Sequence, residues 1–333
     1  MKRNWNWLAL LAALALIAAA CGGDDSGSDA TTTTAGGGEA FRIAIVAPSA
    51  SNDLAFTQSI VDAVNAIKAD MGNVEVAVTD NTFVVEDAAT AIRGYASEGY
   101  DLVIAHGSQY GGSLEEIAPD FPDVSFAWGT AANTYGLANV YSYEAASDQG
   151  GYVLGVMAAA LTETGNIGVV GPIEVGDAKL YVDGFVAGAV SAGATAPKVT
   201  YTGSFSDVAL AKETAEAYAS QDVDVMTGTA QMVVGAVGVA STEGILWFGT
   251  QANQSSLGDI VVASQVYHWE VVLDDIIANV QSGKLGGEIY EINLANEGEV
   301  IEYNPAYSLP DDVRQKAEDT IAGIADGSMS TGM

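Results

Sequence analysis

Two consecutive α/β lobes, each built on a doubly wound parallel sheet, are predicted for this chain by three observations. Short apolar, β-branched runs alternate with longer stretches whose apolar residues recur at helical spacing. A run such as FRIAIVA (41–47) is a short, apolar, β-branched stretch of the kind that forms strands covered on both faces. The alternation proceeds from Phe41 to Tyr143 and then starts over near Ala146. Hydrophobic residues make up 49% of the chain, enough to give each half its own core.

The first half opens with FRIAIVA (41–47), a buried-type strand. TQSIVDAVNAIKAD follows, and Ile60, Val61, Val64 and Ile67 share one face of its helix. VEVAVT (74–79), a helix over 86–98, DLVIAH (101–106), a helix over 113–119, VSFAW (124–128) and NVYSY (139–143) complete it. The second half begins with a helix over 146–161, NIGVVG (166–171), a helix over 177–192, KVTYT (198–202) and a helix over 208–220. VDVMT (223–227), a helix near 231–242, GILWFG (244–249), IVVASQV (260–266) and a helix over 270–282 continue it. EIYEINL and EVIEY read as strands, and a last helix carries Pro310 near its start.

Ahead of the folded part, Met1-Lys2-Arg3 precedes an apolar stretch from Trp7 to Ala20. That stretch is shorter than the roughly 20 residues a membrane span needs, so residues 1–20 read as a secretory signal. Ala19-Ala20-Cys21-Gly22 resembles a bacterial lipobox, which makes Cys21 the expected lipidated residue. Residues 22–40 are small, polar and acidic, and read as a flexible linker behind that anchor. The expected location is the extracytoplasmic face of the cell membrane, with a lipid as the only membrane attachment.

Forty-three acidic residues stand against eleven basic ones, a net charge of −32, and two of the basic residues, Lys2 and Arg3, lie in the signal. Such a field repels nucleic-acid phosphates. Cys21 is the sole cysteine, and His106 and His268 are the only histidines. Disulfides, a metal centre and histidine-dependent catalysis therefore have little material; no cofactor is expected, and a monomer is.

Ligands of doubly wound sheets sit beyond the carboxyl ends of the strands, which directs attention to loops. The loop after the first strand holds Asp53, Phe56 and Gln58 at a helix N-terminus; Asp53 suits either capping or a ligand donor. Phe56, in a polar loop, reads as an exposed stacking ring rather than core. His106-Gly-Ser108-Gln109-Tyr110-Gly-Gly112 lets backbone approach a ligand and offers a tyrosine face and hydroxyl. Phosphate cradling is excluded there, because no basic residue and no GKS/T is present. Phe205, Asp207, Gln231, Gln251 and Asn253 stand in the corresponding loops of the second half. No nucleophile–base–orienter set and no GxSxG elbow occurs, so the composition is that of a binding site and not of an enzyme.

At these residues the chain resembles the basic membrane protein (BMP) family of ABC-transporter substrate-binding lipoproteins, which includes purine nucleoside and nucleobase receptors. DLAFT (53–57), PDVSFAW (122–128), GGYVLGVMAAALTETGNIGVVG (150–171) and DGFVAGA (183–189) carry the resemblance. It implies a type I periplasmic-binding-protein-like α/β fold, two Rossmann-like lobes joined by crossover strands, with permease subunits as partners. The lobes are drawn on that basis as 41–143 plus about 265–295, and 144–264 plus about 296–333. By residue matching, Phe56 and Phe205 take the places of two aromatics that sandwich a base, Asp53 that of a loop acid and Tyr110 that of a second-loop aromatic. Trp269 matches a tryptophan after the last crossover, either packing the hinge or touching ligand. Family members commonly carry acids where Gln251 and Asn253 stand here. The expected ligand is accordingly a nucleobase or another flat polar heterocycle, or a nucleoside. A sugar or other polar metabolite, or sensing without transport, are the alternatives.

Overall fold

The structure, a computed structural model, describes residues 39–333; the signal, Cys21 and the linker up to residue 38 lie outside the described residues. The first sheet contains β1 (Phe41–Val46), β2 (Val74–Thr79), β3 (Leu102–His106), β4 (Ser125–Gly129), β5 (Val140–Ala145) and a late strand, β11 (Ile289–Ile292). Their order is β11-β5-β4-β3-β1-β2, and every pairing is parallel. The strands alternate faces residue by residue. Ile43 and Ile45 meet α1 (Phe56–Met71) and α8 (Glu270–Gln281), whereas Ala44 and Val46 meet α2 (Val85–Ser97) and α3 (Gly111–Ile117). Ile60, Val64 and Ile67 of α1 are buried as their spacing requires. Truncating one such side chain to alanine costs about 2–5 kcal/mol.

The second sheet repeats the plan with β6 (Ile167–Gly171), β7 (Lys198–Tyr201), β8 (Val225–Gly228), β9 (Leu246–Gln251), β10 (Val261–Tyr267) and β12 (Glu299–Tyr303). Its order is β12-β10-β9-β8-β6-β7, parallel except for antiparallel β12. Helices α4 (Ser147–Leu161), α5 (Gly176–Ser191) and α9 (Asp311–Ala325) cover one face, and α6 (Val208–Ala219) and α7 (Val234–Glu243) the other. The glycine-rich blocks of the sequence form the α4–α5 seam. A Cβ on Gly155 would lie 2.1 Å from the Phe185 carbonyl oxygen, and one on Gly188 would lie 2.0 Å from that of Tyr152. Only hydrogen at these positions lets the two backbones touch.

The chain passes between the sheets three times, at Ala146, at His268 and between β11 and β12. The passages are stitched together: the His268 amide donates to the Gly298 carbonyl at 2.7 Å, and that of Glu299 donates to the Asn293 carbonyl at 3.1 Å. The second sheet keeps β10 through Tyr267, which pairs with Glu299, so the crossover at His268 falls three residues beyond the expected boundary at about 265. Among the described residues, no helix is long and apolar enough to cross a membrane.

Candidate functional site

Both sheets reverse direction between their first and third strands, β1/β3 in one lobe and β6/β8 in the other. The carboxyl ends at these reversals border a cavity with about 430 Å³ of atom-free space, mouth included. The first lobe contributes Pro48, Phe56, Phe83, Ser108, Gln109 and Thr130 to its wall; the second contributes Asp177, Ala178, Phe205, Ala230, Gln231 and Gln251.

Phe56 is the first residue of α1 and only 9% exposed, so it is less open than its polar loop implied. Its back is covered by His106, stacked with ring centroids 4.1 Å apart and planes 22° apart. His106 is fully buried, with Nδ1 2.8 Å from the Tyr143 hydroxyl and Nε2 3.2 Å from the Phe56 carbonyl oxygen. A proton on Nε2 satisfies both contacts, since the carbonyl can only accept. Burial holds the imidazole down to about 3, so it is a neutral platform for the phenyl ring at physiological pH.

Trp269 stands edge-on to His106, Tyr143 and Tyr267 and donates from Nε1 to Ser59 Oγ at 2.9 Å. It is fully buried and outside the cavity wall. These contacts pack Trp269 against the hinge strand β10 and helix α1. Tyr110 departs from expectation more sharply. Its ring is wholly buried among α2 and α3, and its hydroxyl donates to the Thr82 carbonyl at 2.9 Å. Thr82 in turn donates to Ala47 at 2.8 Å, so Tyr110 anchors the β3 loop from beneath and leaves Ser108 and Gln109 facing the cavity.

The two aspartates named from the sequence are helix-end residues and not wall residues. Asp53 Oδ1 accepts from the amides of Ala55 and Gln58, and Oδ2 accepts from the Ser49 hydroxyl at 2.6 Å and the Thr57 amide at 3.1 Å. Asp207 caps α6 through the amides of Ala209 and Leu210. Gln58 accepts from the Leu54 amide and donates to Asp62. Asn253 belongs to a neighbouring hollow with His268, Glu270 and Glu302, and donates to Glu302. Phe56, Ser108, Gln109, Phe205, Gln231 and Gln251 are the expected residues that the fold brings together.

Two wall positions carry backbone strain. Ala230 (φ 71°) and Gln251 (φ 70°) sit in the left-handed half of the map that non-glycine residues avoid, at about 1–3 kcal/mol each. Gln251 is 2% exposed and its Oε1 has no hydrogen-bond partner. Beside them, Gln254 spans the cleft, donating from Nε2 to the Leu54 carbonyl of the other lobe at 3.0 Å.

Phe83, Thr130 and Asp177 were not singled out in the sequence. They follow β2, β4 and β6, whose trailing loops hold no motif. The strand-end rule alone points to the β6 loop, because β6 flanks the reversal of the second sheet. Asp177 lies in the first turn of α5, and desolvation beside the cavity pushes its carboxyl up to about 6. Among the described residues, no group of three or more His, Cys, Asp or Glu side chains could hold a metal ion.

Two α/β lobes hinged by three crossovers, with a cavity walled by both and holding aromatic rings, amides and a carboxyl, define a two-lobed solute-binding protein. The chain belongs to the Bmp family, ABC transporter substrate-binding protein PnrA-like, whose model matches residues 40–322. It is 28% identical over 259 residues to a purine-binding protein of Brucella abortus, covering 77% of this chain and 73% of that one. It is 24% identical over 257 residues to the transcriptional activator protein Med of Bacillus subtilis, covering 76% and 79%. An ABC transporter solute-binding protein from Conexibacter woesei superposes with a TM-score of 0.73 at 24% identity, covering 87% of this chain and 98% of that chain.

Proposed function

We propose that this chain is the membrane-tethered capture subunit of an ABC importer and that its ligand is a small flat heterocycle of the purine class, base or nucleoside. The observation that carries the reading is the pair Phe56 and Phe205, contributed by opposite lobes to one cavity. A ring held between them makes contacts with both lobes at once, so its binding energy favours the closed arrangement. Stacking contributes about 1–3 kcal/mol per aromatic contact. The lipobox cysteine Cys21 supplies the tether and permease subunits the downstream partner. The name of the Brucella relative agrees with the ligand class.

Calorimetric titration of the full chain with purine bases and nucleosides tests this. Binding that weakens in Phe56→Ala and Phe205→Ala supports the reading; absence of heat with every purine overturns it. The Bacillus relative, named as a transcriptional activator, favours a second reading in which the same cleft serves sensing. Ligand uptake by cells carrying or lacking the protein separates the two: import requires a loss of uptake, sensing does not.

A further inference from the structure

The polar groups of the cavity wall are unequal in kind. Among the described residues Asp177 is the one ionisable residue in it, and no lysine, arginine or histidine joins it there. Its position in the first turn of α5 would ordinarily attract an anion, since the amides there lack helical partners. The Asp177 carboxyl already stands there, in the cavity wall beside Ala178. An incoming phosphate or carboxylate meets an acidic group in place and no cation to pair with.

Gln251 is the second, independent observation. Its side chain lines the same wall, is 2% exposed, and leaves Oε1 without a partner. Its backbone is held at φ 70° to put it there. A buried acceptor left unmatched costs stability, and a ligand donor is the natural way to recover it.

We propose that Asp177 and Gln251 form an acceptor pair on the second lobe that selects neutral or cationic rings carrying N–H donors and rejects ligands bearing phosphate or carboxylate. The inference rests on the flat-heterocycle reading above and adds the hydrogen-bond sense of the ligand. Stacking between Phe56 and Phe205 tolerates many ring substituents; the acceptor pair makes the choice among rings of equal size.

Adenine and unsubstituted purine are suitable probes, because they share a ring system and differ by one exocyclic amine. Adenosine and its 5′-monophosphate form the second pair. The expected result is that the wild-type protein binds adenine about tenfold or more tighter than purine, as a charge-assisted hydrogen bond allows. Asp177→Asn then erases most of that preference while changing purine affinity little, and the monophosphate gives no heat where adenosine does. Gln251→Met, a volume-conserving change that removes the buried acceptor, lowers adenine affinity in the same sense should Asp177→Asn fail to fold. The proposal is overturned if the adenine preference survives in both variants, if both rings weaken together, or if the monophosphate binds as well as adenosine. Wild-type protein that binds none of the four probes overturns the purine reading and this proposal with it; binding without donor dependence overturns this proposal alone.

Discussion

Glu299, the first residue of β12, offers the sharpest test of how the hinge is balanced. It is fully buried, and its Oε1 accepts from the Gly150 amide at 2.5 Å and from Gln265 Nε2 at 2.6 Å, while Oε2 has no partner. Burial pushes this carboxyl from 4.5 up to about 8, with Asp148 and Glu291 adding repulsion. At 1.36 kcal/mol per pH unit, that gap corresponds to about 5 kcal/mol between the two protonation states. Because the folded value lies above the unfolded one, the folded chain holds a proton that the unfolded chain releases. Stability therefore falls as pH rises from about 4.5 to about 8, and the full penalty is present above 8. Glu299→Gln keeps the accepting oxygen and replaces the lone Oε2 by an NH₂, the neutral counterpart of the protonated acid. Urea denaturation of both proteins between about pH 5 and 9 should give similar stabilities at the acid end. At the alkaline end the variant should be more stable, by several kcal/mol and at most about 5. A stability difference that stays constant over the range, or a variant less stable at the alkaline end, refutes the reasoning.

Three further outcomes are expected. Phe56→Ala and Phe205→Ala should each weaken an aromatic ligand by about 1–3 kcal/mol in calorimetry and an acyclic polar ligand far less; equal losses for both ligands would argue against stacking. Gly188→Ala should cost about 1–3 kcal/mol or more in chemical denaturation, because its Cβ would meet the Tyr152 carbonyl oxygen at 2.0 Å and force α4 and α5 apart. The control Gly238→Ala, inside α7 with nothing within 4 Å, should instead stabilise by up to about 1 kcal/mol. His106 should show no NMR titration between about pH 5 and 8, since burial holds it near 3; a midpoint near neutrality would mean that its contacts with Phe56 and Tyr143 are not kept in solution.

The architecture was legible because parallel strands covered on both faces must be apolar runs, and runs such as LVIAH and GILWFG have no other use. What the runs could not reveal was pairing at a distance. Tyr267 belongs to the second sheet because Glu299 meets it, and those residues are far apart in the chain. The candidate cavity wall was legible at Phe56, Phe205 and Gln251, each of which stands at the end of a strand or at the loop behind it. Burial imposed from elsewhere in the chain was not legible. Tyr110 looked available in a glycine-rich loop, yet Thr82 takes its hydroxyl. Trp269 is enclosed by residues from β5, β10 and α1. Asp177 carries no signal in the sequence for the opposite reason: it resembles any first-turn acid until the fold places it in one wall with Phe205 and Gln251.

Trp269 also gives the molecule an optical gauge of its own. Three tryptophans lie within the described residues, Trp128, Trp247 and Trp269. Trp128 and Trp247 sit in the interior of one lobe each. Trp269 alone leans on both, bonded to Ser59 of α1 on one side and edge-on to Tyr267 of β10 on the other. Two rings, His106 and then Phe56, stand between its indole and the cavity. A rotation of one lobe against the other would change the surroundings of that indole while leaving Trp128 and Trp247 in theirs, so a shift in tryptophan emission on adding a solute is the expected sign of closure.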